Sequence, residues 1–271
     1  MSLYTLRTVL LLGILSAILL GIGLFFGGFI GMSIALAIAL VMNIVMYWFS
    51  DKIVLRMYGA KPLKNAKINN IVEKLAKKAG IPAPKTYVVD MDTPNAFATG
   101  RNTQNAVVAV TTKLMDELND KEIEGVLAHE LSHIKHNDML VNTIAATVGA
   151  AISWIGYIFW FGSDNEGKNA LSYVLLFIMV PLAALLVRMG ISRSREYFAD
   201  QGGAELSNPL ELASALDKIS KSAKAKPPTK GSTATSHMFI VNPFSGSALL
   251  NLFSTHPPVE ERIRRLKEMA K

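Results

Sequence analysis

Positions 129 to 133 read His129-Glu130-Leu131-Ser132-His133. Residues four apart on a helix share a face, so both imidazoles leave the same side. Two ring nitrogens so placed can reach one Zn2+ at about 2.0–2.1 Å. Glu130 directly follows the first imidazole, and from there its carboxylate can reach a water at the metal and take its proton. A catalytic zinc takes three protein ligands and keeps one position open, so a third ligand is required. The extended pattern His-Glu-x-x-His-x-x-Gly-x-x-His fails, because His136 stands where Gly is needed and Met139 where the third His is needed. The alternative is a glutamate on a later helix. Ser192-Arg-Ser-Arg-Glu196-Tyr-Phe-Ala-Asp200 fits. Glu196 is expected to bind the metal. Asp200, one turn further on, is expected to accept a hydrogen bond from a ligand His and so fix its tautomer. The chain has no cysteine, which excludes disulfides and thiolate ligands.

These residues need a scaffold. A helix over 120–136 begins at an Asn119-Asp120 cap, carries Glu122 and Glu124 in its first turn, and buries Ile123, Val126, Leu127 and Ile134. A second helical stripe over 65–78 uses Ile68, Ile71, Val72, Leu75 and Ala76 and ends at Gly80 and Pro82. Two β-branched runs, 86–91 and 106–111, read as strands, and 92–100, with Pro94 and Gly100, reads as a long turn between them. A small antiparallel β unit is expected, and strands beside a cleft can receive an extended peptide as an added strand. Stretches 208–221 and 259–269 read as amphipathic helices. The Lys-, Pro-, Ser- and Thr-rich stretch 222–236 reads as a mobile loop.

Half of the 271 residues are hydrophobic, and between Arg7 and Asp51 lie 43 uncharged residues. A membrane span needs about 20, so two spans are expected, 8–26 and 29–49. The block is too long for a cleaved signal peptide. Uncharged runs at 139–163 and 169–187 predict a second helical hairpin. The fold class is therefore mainly α and integral to the membrane: four transmembrane helices with a zincin-like helical catalytic domain and the small β unit. The expected organisation is a hairpin over 1–50, a catalytic region over 51–138, a second hairpin over 139–188 and a catalytic region over 189–271. Two crossings separate His133 from Glu196 and return the chain to one side, so all three ligands can meet. Basic residues cluster after the second run (Lys52, Arg56, Lys61, Lys64, Lys67) and after the fourth (Arg188, Arg193, Arg195). This bias places both termini and the catalytic regions in the cytoplasm, at the cell membrane. The +7 charge fits such loops. Without a basic, aromatic-interleaved patch it does not indicate nucleic acid.

Four motifs in order carry a resemblance across essentially the whole chain: Asn95-Ala-Phe-Ala-Thr-Gly100, His129-Glu-Leu-Ser-His133, Arg195-Glu-Tyr-Phe-Ala-Asp200 and Thr255-His-Pro-Pro-Val-Glu-Glu-Arg262. The sequence resembles the HtpX-like membrane zinc endopeptidases, gluzincins related to the CaaX prenyl endopeptidases. The resemblance implies one zinc per chain, proteolysis facing the cytoplasm, and protein or peptide substrates drawn from membrane-protein quality control, including stress response. It also implies that His256 donates a hydrogen bond to the oxyanion and that Arg262 orients substrate or the third-ligand carboxylate. Asn95 is assigned to the substrate backbone. His136 departs from the commoner family residue and is read as structural. Two other classes compete. An intramembrane protease of the site-2 type would hold the motif inside a span, whereas Lys121, Glu122, Glu124 and Lys135 place it at the membrane surface. A catalytically silent scaffold or chaperone would need no complete ligand set.

Overall fold

The helix that carries the histidines, α3 (Asp120–Lys135), starts where its sequence says it should. The Asn119 side chain accepts from the Lys121 and Glu122 backbone N–H groups, and Glu122 accepts in return from the Asn119 N–H, a capping box. Glu122 also accepts from Ser214 and Lys218, so the start of α3 is tied to a helix that follows much later in the chain. Burial works against the Glu122 charge, but the Lys218, Ser214 and Asn119 contacts outweigh it and hold the carboxyl below its usual range.

The structure is a computed structural model that describes residues 51–138, 193–225, 239–241 and 257–271, with part of 23–49. The elements are β1 (Lys61–Pro62), α1 (Ala66–Ala79), β2 (Lys85–Val89), β3 (Ala96–Gly100), β4 (Ala106–Thr111), α2 (Thr112–Glu117), α3, α4 (Arg193–Leu206), α5 (Pro209–Ala225) and α6 (Val259–Met269). The chain divides into two units, 1–48 with 141–191, and 49–140 with 192–271; the elements named here belong to the second. Among the described residues, no helix is long and apolar enough to cross a membrane. The expected spans lie outside the described residues, wholly for 139–163 and 169–187, largely for 8–26 and in part for 29–49.

The sheet corrects the expected antiparallel unit. It is mixed, in the order β1-β2-β4-β3. β2 and β4 are parallel, while β3 pairs antiparallel with β4 and β1 antiparallel with β2. The stretch 92–100, expected to be a turn, holds β3. Pro94 lies just ahead of the strand and Gly100, at φ 138, closes it. The chain leaves β2, runs along the far edge as β3, and turns through 101–105 into the middle position. That route makes β2 and β4 parallel. β4 is buried along its whole length, as a central strand covered on both faces must be. Ala96, Ala106, Val108 and Val110 join the helical core; Phe97, Ala109, Val89 and Met91 pack with Val54, Tyr58 and Phe239 on the other face.

α1 keeps its predicted stripe, with Asn65 as its N-cap and Gly80 left-handed at φ 73. α5 extends past its expected end, so the first residues of the presumed loop, 222–225, are helical; the rest of that stretch lies outside the described residues.

α3 is the buried centre. α1, α4, α5 and β3 all pack on it. Its approach to α4 is set by a glycine. A Cβ built on Gly203 would lie 3.0 Å from the His129 nitrogen and 3.1 Å from its Cα, so the two backbones nearly touch beside a candidate ligand. At Gly202 a Cβ would run into Ser132 Oγ and lie 3.0 Å from Ser132 Cβ. Gly203→Val is therefore expected to cost about 1–3 kcal/mol through overpacking, read as a lower thermal midpoint of the full chain in detergent. A Gly203→Val variant as stable as the parent would contradict this account of the helix spacing.

Candidate metal centre

His129 and His133 leave one face of α3 with their rings edge to face, 4.7 Å between centroids, and both are buried. Their Nε2 atoms lie 3.2 Å apart. Glu196, in the first turn of α4, brings Oε2 to 3.7 Å from His129 Nε2 and Oε1 to 3.5 Å from His133 Nε2. The three side chains form a group whose ligand atoms lie within 4.8 Å of one another.

The remaining ring nitrogens settle the tautomers. His129 Nδ1 faces Asp200 Oδ1 at 3.0 Å and His133 Nδ1 faces Asp138 Oδ2 at 3.2 Å. An ionised carboxylate can only accept, so the His133 contact places that ring's proton on Nδ1, and the approach of Asp200 favours the same tautomer of His129. Both Nε2 lone pairs then point inward, towards each other and towards a carboxylate. Three acceptors converging in a buried site fit a cation. Their separations also suit a tetrahedral zinc, for which bonds of about 2.0–2.1 Å put ligand atoms roughly 3.3 Å apart.

Charge agrees. Glu130, Asp138, Glu196 and Asp200 are buried carboxylates, and Arg195 and Arg262 are the buried guanidinium groups among them. With neutral imidazoles and all four carboxyls ionised this leaves two negative charges, the complement of one divalent ion. The same excess draws protons. Burial disfavours the charged ring of His133, but Asp138 and Glu196 outweigh it and push its pKa well above the usual value. His129 is pushed down, chiefly by burial.

Glu130 sits beside the ligands without joining them. Burial, reinforced by the Glu196 carboxylate, raises its carboxyl to about 7, against the opposing pull of His133, Arg262 and a hydrogen bond donated by the Ala98 backbone N–H. A carboxyl titrating near neutrality suits a group that must both take and give a proton. The Ala98 bond also aims the outer edge of β3 at the site.

Arg262, from α6, is 1% exposed. Its Nε and Nη2 donate to the two oxygens of Asp200 at 2.8 and 2.7 Å. Its Nη1 lies 3.3 Å from Glu196 Oε2 and donates to the Ile240 carbonyl at 2.8 Å. Of its two expected roles, orienting the third-ligand carboxylate is the one its position allows directly. Burial works against its charge, but Asp200, Glu196 and Glu130 hold it protonated. Asp200 in turn is held below its usual range despite burial, mainly by Arg262.

Asn95 lies just ahead of β3. Its Oδ1 accepts from the Ile240 N–H at 3.0 Å, and its backbone pairs with Thr111. That oxygen anchors the 239–241 segment. His256 lies outside the described residues. His136 caps α3, with Nδ1 3.5 Å from Ser132 Oγ, in keeping with a structural role. Sequence reasoning missed Asp138 and Arg195, which back His133 as Asp200 and Arg262 back His129.

A His-Glu-x-x-His helix joined by a glutamate from a second helix is the ligand arrangement of the zinc peptidase class. Within that class the chain belongs to peptidase family M48, whose model matches residues 62–270. A protease HtpX homolog of Persephonella marina is 48% identical, the match covering 99% of this chain and 98% of that one. The protease HtpX of Legionella pneumophila is 50% identical, covering 82% and 84%. The crystal structure of S. mikatae Ste24p shares the fold, with a TM-score of 0.52 at 19% identity, covering 84% of this chain and 56% of that one.

Proposed function

We propose that the chain is a membrane-bound zinc endopeptidase that hydrolyses peptide bonds of misfolded or membrane proteins at the cytoplasmic face. The observation that carries this reading is the convergence of His129 Nε2, His133 Nε2 and a Glu196 oxygen beside the buried carboxyl of Glu130. Membership in the M48 family and the names of the HtpX relatives support the activity. The long uncharged runs, with Lys and Arg after the second and fourth, support the location.

His129, His133 and Glu196 would hold the metal. Bound zinc lowers the pKa of a water towards about 7 and polarises the scissile carbonyl. Glu130 accepts the proton of the attacking water and delivers it to the departing amine. Asp200 and Asp138 keep the imidazole protons on Nδ1, and Arg262 steadies Glu196. Among the described residues β3 is an edge strand, and an extended peptide can add to such an edge by main-chain hydrogen bonds. By resemblance, His256 donates to the oxyanion.

Chelation is expected to stop cleavage of an unfolded protein by the full chain in proteoliposomes, and added Zn2+ to restore it. Cleavage that persists through exhaustive chelation would contradict the reading.

A further inference from the structure

We propose that Asp138, held in place by Arg195, is a positioning residue for the ligand His133. The inference rests on the metal-site reading above and extends it to residues outside its motifs.

Asp138 is 2% exposed and Arg195 7%. One oxygen of Asp138 lies 3.2 Å from His133 Nδ1, and the other accepts from Arg195 Nη1 at 2.7 Å. The carboxylate thus bridges a ligand ring and a guanidinium group. A residue five places after His133 would not ordinarily return to its ring. Here α3 ends at His136, and Asn137 takes a left-handed conformation at φ 56. Asn tolerates that region better than most residues, and the turn folds Asp138 back beneath His133.

Arg195 comes from α4, 57 residues further along the chain. Its neighbour Glu196 approaches His133 Nε2 while Arg195 reaches Nδ1 through Asp138. Consecutive residues of α4 therefore grip the two nitrogens of one imidazole. The acceptor at Nδ1 fixes the proton there, sets the ring plane and leaves Nε2 to face the metal, which is how outer partners tune ligand histidines. The bond from Arg195 stops the carboxylate rotating away.

The test uses the full chain purified in detergent, with zinc affinity measured by competition against a chromophoric chelator. The thermal midpoint of the zinc-stripped protein reports folding, and the absorption band of the cobalt-loaded protein reports ligand geometry. Asp138→Asn keeps an oxygen for Nδ1–H but loses the charge that holds Arg195. It is expected to weaken zinc binding by about 10–100-fold and to shift the cobalt band. Arg195→Gln should act in the same direction, and the double variant should be little worse than Asp138→Asn alone, because both act through one contact. Zinc affinity and a cobalt band unchanged in Asp138→Asn would overturn the proposal, even if the stripped protein were less stable. Losses that multiply in the double variant would overturn the pairing with Arg195. A parent chain that binds no zinc would instead sink the metal-site reading, and this inference with it.

Discussion

Glu130→Gln is expected to bind zinc as the parent does and to lose about 100- to 10,000-fold in peptide cleavage, the span associated with removing a positioned acid–base group. Glu130 is buried beside the three-residue group and is not one of its members. Glutamine has nearly the same shape and can still accept from the Ala98 N–H through its amide oxygen, so β3 and α3 should stay in register. It cannot accept a proton from water. The substitution also has a stability signature in the zinc-stripped protein. The folded carboxyl is raised to about 7 from an ordinary 4.5, so the folded state holds its proton more tightly than the unfolded chain does. Stability from this group is therefore lost as pH rises from about 4.5 to about 7, and the loss is complete above that window. The glutamine variant lacks this term, so its thermal midpoint should fall less across the same range. A variant that cleaves at the parental rate would remove Glu130 from the mechanism.

Glu196→Ala should cost more zinc affinity than any change behind the ligands, beyond the roughly 10–100-fold that such outer partners are worth. It deletes one of three converging acceptors and takes away the carboxylate 3.3 Å from Arg262 Nη1. Arg262 still grips Asp200 through two bonds, so the fold should survive and the loss should appear in metal content. Glu196→Gln, which keeps the volume, separates the carboxylate charge from packing and should lose zinc as well.

What could be read from the sequence divides along physical lines. α3 was legible because its signals are local: a capping residue, acidic residues in the first turn, and two histidines one turn apart. α1 was legible from its stripe and Gly80. Glu196 followed from the need for a third ligand and the failure of the extended motif. β3 was hidden by Pro94 and Gly100, which mark a turn unless a neighbouring strand is known to lie alongside. The parallel pairing of β2 with β4 depends on where β3 goes, and that is not a local property. Asp138 sits off the helical face of His133 by spacing alone, and only the left-handed Asn137 brings it back. Arg195, counted in the sequence among the basic residues that follow the fourth uncharged run, is buried against Asp138. Asn95 meets Ile240 across 145 residues, a contact that no periodicity announces.

Zinc content of the purified full chain, measured side by side for the parent, Glu130→Gln and Glu196→Ala, tests the three-ligand centre most directly. One zinc per chain is expected in the first two and a largely metal-free protein in the third, with all three folded. Zinc retained in full by folded Glu196→Ala would contradict the centre described here.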